Sequence, residues 1–301
     1  MSTSGPVWDP RVARAIRHVE RSLGDPGVDL GLEAIAAVAA MSPYHFHRLF
    51  RSLVGEPLQA WVRRLRLERA AALLVHSGWP IARVGLAAGY ETQAAFTRAF
   101  TRQFGLPPAR FRARSGGTPW LLPPGERSRR VQSGVTVVAQ PERALACFRH
   151  VGDLGALARR LPPLIEVAGS LGWLGPEVWT VLVFHDESRV VEPAHWRIDV
   201  GWPVPDGTTL PEGFSRVVLP AGDYATCTAA GTSAELDETF SRFLYEEVPA
   251  SGLQPAAFES VLEVHGSHAW DVIADPSDSA VRPMVARVLH QVGRAGALLQ
   301  G

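Results

Sequence analysis

The chain is expected to be multidomain: an all-α domain over residues 8–114, then an α+β domain over residues 134–274 built from a duplicated unit. Three observations carry this expectation. At 301 residues the chain exceeds what one hydrophobic core usually supports, since cores stop growing near ~250–300 residues. The hydrophobic period changes along it, from 3.6 residues in the first half to short β-branched runs in the second. Each half also repeats itself, at a shift of its own.

The formal charge is zero, but its distribution is uneven. Residues 1–130 hold 19 arginines and 9 acids, whereas residues 131–301 hold 11 arginines and 21 acids. A basic half joined to an acidic one points to an anion-binding module coupled to something else. There is no 18-residue apolar run and no basic-then-apolar leader, so neither a membrane span nor a signal peptide is expected. Cys147 and Cys227 lack a partnered spacing and read as buried thiols in a reducing cytoplasm.

In the first half, a shift of 50 residues lays Ser42 on Thr92, Phe46 on Phe96, Arg48 on Arg98, Phe50 on Phe100 and Gly55 on Gly105. Ser42 and Thr92 are good N-caps. The glycines, each with proline two residues on, are helix stops. A short Ala-rich helix precedes each copy, "LEAIAAVAAM" and "IARVGLAAGY". Short helix, turn and capped second helix make a helix-turn-helix, here twice. The phenylalanines, every fourth residue, belong to the buried side of the second helix. The other side presents Tyr44, His45, His47, Arg48 and Arg51 in one copy, and Gln93, Ala94, Ala95, Arg98 and Arg102 in the other. Arginine can fork onto guanine O6 and N7, and glutamine onto adenine N6 and N7. Residues in the first turn and near the sixth position are therefore candidates for base edges. Arg51 and Arg102 are better placed for phosphate, which fixes register without reading sequence.

Residues 8–114 resemble the DNA-binding domain of AraC/XylS-family transcriptional regulators, through "MSPYHFHRLFRSLVGEPLQAWVRRLRLERAAALL" and "IARVGLAAGYETQAAFTRAFTRQFGLPPARFR". The resemblance implies seven helices, a long linker helix at about 58–76, and two recognition helices entering adjacent major grooves of double-stranded DNA. It places Tyr44, His47 and Arg48, and Gln93, Ala94, Ala95 and Arg98, where the family reads bases. Gly85 departs from the family's usual alanine, and Ala94 and Ala95 can make only methyl contacts.

Residues 115–133, "SGGTPWLLPPGERSRRVQS", read as a Gly/Pro/Ser-rich linker. Beyond them a shift of 79 lays Pro141 on Pro220, Gly152 on Gly231, Leu157 on Leu236, Pro176 on Pro255 and Trp179 on Phe258. Each copy reads strand, strand, helix, strand, strand, with helices near 154–171 and 233–247. The last strands are "HWRIDVGWPV" and "HAWDVIAD". Such a (ββαββ)×2 unit is expected to form one sheet with both helices on one face and an open concavity on the other. Glu259 aligns with Thr180, so the fold itself does not require a carboxylate there. Near an apolar cleft, Glu259 is a candidate counter-charge for a cation or a general acid/base. Trp196, Trp202 and Trp270, on the last strands, are candidates for stacking on a flat or cationic ligand. Residues 281–300 place Val281, Val285, Val288 and Val292 at helical spacing and read as a terminal amphipathic helix.

This half resembles the GyrI-like effector-binding domain, through "VFHDES", "HWRIDV", "LPAGDYATC" and "SGLQPAAFES". The resemblance implies a ligand cleft containing the residue that matches Glu259, and small amphipathic, often cationic, ligands. The segment "AWDVIADPSDSAVRP" departs from the family's usual strand ending.

His265 and His268 have no third ligand nearby, and an H-x-x-H spacing on a strand places the two on opposite faces, so no metal is expected. No phosphate loop, nucleophile elbow or Cys–His pairing is apparent, so neither a cofactor nor a catalytic set is expected. The expected function is a cytoplasmic, sequence-specific transcriptional regulator controlled by a small molecule, with RNA polymerase as a further candidate partner and no membrane. The alternative is a small-molecule hydrolase fused to a DNA reader.

Overall fold

The computed structural model describes residues 9–25, 27–76, 79–115, 135–175, 179–188, 190–231, 233–248, 251, 253–265 and 284–293. For residues 76, 115, 233, 234, 237, 254–259, 265, 284, 285 and 293 only the backbone is described. The chain forms two units, one helical and one built on a sheet. The expected linker falls, beyond Ser115, outside the described residues.

The helical unit has seven helices: α1 (Pro10–Ser22), α2 (Leu32–Val38), α3 (Pro43–Val54), α4 (Leu58–His76), α5 (Ile81–Ala87), α6 (Gln93–Phe104) and α7 (Pro108–Ser115). α3 and α6 begin and end by the same chemistry. The hydroxyls of Ser42 and Thr92 accept from the third backbone N–H beyond each cap, His45 N and Ala95 N. Gly55 and Gly105 close the helices at φ 87° and 71°, where a side chain would be strained. The turns into these helices also match, with Ala40 at φ 52° and Gly89 at φ 79°.

Phe46 and Phe50 pack under α1, α2 and α4, and Phe96 and Phe100 hold the same place in the second copy, all at 0% exposure. Gly85 has a reason here. A Cβ built on it would lie 3.1 Å from three side-chain atoms of Phe96, so α5 approaches α6 too closely for an easy alanine. α4 serves both copies, burying Leu58, Trp61, Val62 and Leu65 in the first core and Leu67, Ala70, Ala71 and Leu74 further along. Its 19 residues span ~28 Å at 1.5 Å per residue. Arg112 fastens α7 by donating to the carbonyls of Leu74 and Trp79.

The sheet unit has strands β1 (Thr136–Gln140), β2 (Arg143–Val151), β3 (Trp179–Phe184), β4 (Arg197–Pro203), β5 (Ser215–Leu219), β6 (Gly222–Gly231), β7 (Gln254–His265) and β8 (Met284–Gly293). Its helices are α8 (Leu154–Ser170) and α9 (Ser233–Arg242), the latter extended by a π-helical turn, Phe243–Glu247. All strand pairs are antiparallel, in the order β1-β6-β8-β7-β3-β4-β2-β5. The two copies meet at β3 and β7 and exchange their first strands, β1 pairing with β6 and β5 with β2.

This order forces the sheet to curl. β1 lies at one end and β2 near the other, yet only Pro141 and Glu142 join them; Pro220 and Ala221 join β5 to β6 in the same way. An ion pair spans the inside of the curl. Arg143 on β2 and Glu263 on β7 are three strand spacings apart, ~14 Å in a flat sheet, but their charged atoms lie 2.7 Å apart.

Strand alternation then divides the side chains between two layers. Ala146, Phe148, Leu182, Val200, Trp202, Val264, Ala286 and Val288 face α8 and α9. Leu145, Cys147, Val181, Val183, Val217, Leu219, Tyr224, Val261 and Leu289 fill the inside of the curl. The expected open concavity is therefore a packed second core. Both cysteines are buried and unbridged.

The C-terminal segment corrects a further expectation. Residues 284–293 are not helical but form β8, the interior strand joining β6 to β7. β8 is thus the strand that pairs with β7 in the second copy; the expected strand "HAWDVIAD" falls, with the rest of residues 266–283, outside the described residues. The valine spacing fits a helix, but the same stretch also alternates. Ala286, Val288, His290 and Val292 share one face, with Arg287, Leu289 and Gln291 on the other. Its β-branched content and the hydrogen bonds available on both sides decide for a strand.

The inside of the curl also holds charge. Asp199 and Glu263 are 0% exposed. Arg149 donates to both Asp199 oxygens, at 2.7 and 2.9 Å, and His185 Nε2 lies 2.9 Å from Oδ2. Arg287 donates to Glu263 and lies over the Trp179 ring at 5.3 Å. Burial alone would raise the Asp199 carboxyl. The Arg149 guanidinium, followed by His185, outweighs it and holds the group well below the usual carboxylate range.

Among the described residues no helix is long and apolar enough to cross a membrane.

Two outcomes follow. A chain ending at residue 283 lacks the strand that joins β6 to β7, so the β-sheet circular dichroism and its cooperative melt should be lost; a retained melt would show β8 to be dispensable. Asp199→Asn leaves Arg149 buried without its counter-charge and should destabilise the sheet unit by about 3–5 kcal/mol in urea unfolding. Because the folded pKa is depressed, the Asp199 contribution is full above the unfolded value of ~3.9 and fades as pH falls through the folded one. The gap between wild type and variant should therefore narrow only in acid.

Candidate functional site

The α3 and α6 helices carry the exposed residues expected to meet DNA. Tyr44, 79% exposed, and the exposed Arg48 and Arg51 lie on the side of α3 opposite Phe46 and Phe50, with His47 half-buried beside them. On α6, Gln93, Ala94, Arg98 and Arg102 are exposed and Ala95 half-buried, opposite Phe96 and Phe100. Arg48, Arg51 and Arg98 enter no ion pair among the described residues. By contrast, Arg64 is tied to Glu56 and Glu68, at 2.8 Å each, and so holds the scaffold. The fold thus sets apart two groups of arginine, one committed internally and one directed at solvent on capped helices.

The sheet unit contains a cavity of about 180 Å³ between the sheet and the helices. Its floor is β3, β7 and β8, through Leu182, Phe184, Ser260, Leu262, Val264, Ala286 and Val288. One wall is α9 and the π-turn, through Leu236, Phe240, Ser241, Leu244 and Tyr245. The other is the β3–β4 connection, through Asp186, Ser188 and Trp196. The phenol of Tyr245 donates to Glu187 Oε1 at 2.5 Å and lies 3.2 Å from Ser188 Oγ, tying the wall segments together. π-turns inside helices often mark functional positions, and this one directs Leu244 and Tyr245 at the cavity. Ser260 Oγ lies 3.2 Å from His290 Nδ1, its cross-strand partner.

The expected ligand residues separate. Trp196 lines the cavity, its indole N–H donating to Val191 O at 2.8 Å. Trp202 does not: it is 0% exposed in the core against Phe214, and its N–H donates to Thr180 Oγ1 at 3.1 Å. It packs inward because residue 202 shares the face of Ile198 and Val200, under the helices. Glu259 is placed by its backbone on β7, next to Ser260, and its side chain lies outside the described residues; Trp270 lies outside them altogether. The cavity-lining residues of α9 were missed. The signal was present in the four-residue spacing of Leu236, Phe240 and Leu244, which resembles any core stripe until the sheet's curl leaves space beneath it.

Comparison with known proteins bears on both halves. Residues 35–114 match a family described as "Helix-turn-helix domain", and residues 133–269 one described as "GyrI-like small molecule binding domain". The regulatory protein PocR of Salmonella typhimurium is 34% identical over 112 residues, which are 37% of this chain and 36% of that one. The arabinose operon regulatory protein of Escherichia coli is 32% identical over 108 residues, 36% of each chain. A crystal structure of the DNA-binding domain of AdpA in complex with a target DNA is 32% identical, covering 36% of this chain and 93% of that one at a TM-score of 0.33. The chain thus spans about a third of the length of the curated relatives it matches. It joins an AraC-type helix-turn-helix domain to a GyrI-like small molecule binding domain.

Proposed function

We propose that the protein is a sequence-specific transcriptional regulator whose affinity for promoter DNA responds to a small amphipathic molecule in the sheet unit. The observation that carries this reading is one chain with two kinds of site: paired capped helices bearing uncommitted arginines, and a largely apolar cavity. In this reading Tyr44, His47, Arg48, Gln93, Ala94, Ala95 and Arg98 face base edges, and Arg51 and Arg102 face phosphate. Trp196 contacts the ligand, and Glu259 lies on the strand that forms the cavity floor. The protein acts in the cytoplasm, and contact with RNA polymerase belongs to its work at a promoter.

A second reading rests on the Ser260–His290 pair at the cavity floor, since a hydroxyl beside an imidazole is what a hydrolase nucleophile needs. The curated relatives are regulators, which favours the first reading. Incubation with 1-naphthyl acetate separates the two. Turnover that disappears in Ser260→Ala would establish the hydrolase; recovery of the ester intact supports the sensor.

For the DNA half, Arg48→Ala or Arg98→Ala should each weaken the specific site by ~1–3 kcal/mol and relax preference at one base pair. Equal loss on specific and random DNA in quantitative mobility shifts would reassign these residues to phosphate. For the sheet unit, a ligand at 100 times its dissociation constant should stabilise by ~2.7 kcal/mol, seen as a raised melting temperature. A broad ligand library that never shifts the melt counts against the sensor.

A further inference from the structure

The turns ahead of α3 and α6 match in backbone and differ in one side chain. Met41 and Tyr90 hold the same place: their N–H groups donate to Ala36 O and Gly85 O, at 3.0 Å each. Met41 packs against the first core. Tyr90 sets its ring on Phe96, with centroids 5.7 Å apart, but its hydroxyl is buried without a hydrogen-bond partner. The fold therefore accepts an apolar side chain here, and the Tyr90 hydroxyl is an addition that costs free energy while it stays unpaired.

Cations surround that hydroxyl. Arg63 and Arg66, three residues apart, are neighbours on one face of α4. Arg66 lies against Gly89, just before Tyr90: a Cβ built on Gly89 would be 3.1 Å from Nη1. Arg102 comes from the last turn of α6. Burial pushes the Tyr90 phenol up, against the pull of the Arg63, Arg102 and Arg66 guanidiniums, so it keeps its proton and remains a donor. No described carboxylate acts on it. Arg63, Arg66 and Arg102 enter no ion pair among the described residues, whereas Arg64 is tied to Glu56 and Glu68. Arg66 Nε, like the phenol, is buried without a partner.

We infer that Arg63, Arg66, Tyr90 and Arg102 form an anion site that takes a phosphate of the DNA backbone, so that α4 as well as α6 seats the second helix-turn-helix. The inference rests on the reading of the helical unit as a DNA reader. Three guanidiniums and a phenol supply positive charge and donors, the chemistry that a phosphodiester requires. The two orphaned donors gain acceptors when the anion arrives, and the guanidiniums give up no ion pair to turn toward it. α4 packs against both α3 and α6, so a backbone strand lying between two grooves entered by those helices runs past α4.

A random-sequence DNA duplex tests this on the full chain, because phosphate contacts carry no sequence information. Binding is followed by fluorescence anisotropy over a salt series. Arg63→Gln and Arg66→Gln should each reduce the slope of log affinity against log salt by ~0.9. Arg159→Gln, which removes an exposed arginine of α8, should leave the slope unchanged. Tyr90→Phe should keep the slope and weaken binding ~10-fold, the worth of one hydrogen bond to a charged group. Its melting temperature should hold or rise, since the hydroxyl loses no partner. A lower melting temperature with unchanged DNA affinity would make the hydroxyl structural and overturn the inference. A wild-type slope in both arginine variants overturns it too, while leaving the DNA reading intact. If Arg66→Gln does not fold, Arg63→Gln decides. A melt raised by inorganic phosphate over chloride at equal ionic strength, and no longer raised in Tyr90→Phe, would make free phosphate the ligand and overturn the assignment to DNA. A wild type that binds no duplex even at low salt overturns the DNA reading and the inference with it.

Discussion

The sheet unit depends on two short turns. Pro141–Glu142 and Pro220–Ala221 each hand the chain from a strand at one end of an eight-stranded sheet to a strand near the other. Neither turn can reach across a flat sheet, where the six strand spacings that each must cross come to ~29 Å. The sheet therefore curls, and the rest follows from the curl. Its inside fills with side chains from β2, β3, β5, β6, β7 and β8. Its outside is covered by the two helices, and two straight rods on a bent surface leave space over β3, β7 and β8. The exchange of first strands makes the arrangement mutual, since neither copy completes its own sheet alone.

The helical unit solves a different problem with the same device of duplication. For the proposed reading of DNA, α3 and α6 each need an apolar side to fix orientation and a polar side free of internal partners. Phenylalanines four residues apart meet the first need, and arginines on the opposite side meet the second. The spacing between the copies is then set by one rigid element. A helix of 19 residues contributes to both cores, so neither copy can rotate without disturbing packing in the other.

Much of this was legible in the sequence because it was written locally. Caps at Ser42 and Thr92, stops at Gly55 and Gly105, and the helices α8 and α9 each depend on a few adjacent residues. What was not legible depends on partners far away in the chain. Residues 284–293 satisfy helical and extended periods alike, and only the vacancy between β6 and β7 decides between them. Trp202 and Trp196 are both tryptophans at the fourth strand of a copy. One sits under the helices and the other on the connection that walls the cavity, a difference set by register and not by residue type. The open concavity failed as an expectation because repeat analysis gives the order of strands in the chain, whereas closure comes from their order in the sheet.

The same curl also accounts for where the charges lie. Arg143, Arg149, Asp199, Glu263 and Arg287 occupy alternating positions that point to the inside, away from α8 and α9. A one-residue slip of any of these strands would carry its charges to the helix side and its apolar residues to the wrong core. Buried ion pairs of this kind contribute little net stability compared with apolar residues of the same shape, because desolvation consumes most of their attraction. Their effect here is on register: Asp199 has its partners only when β2, β3 and β4 are aligned as Arg149↔Asp199 and Val183↔Asp199. By fixing register, the inner charges keep the helix-facing layer apolar. The cavity is therefore a product of the opposite face of the same strands, and its lining cannot be redesigned without respecting the ion pairs beneath it.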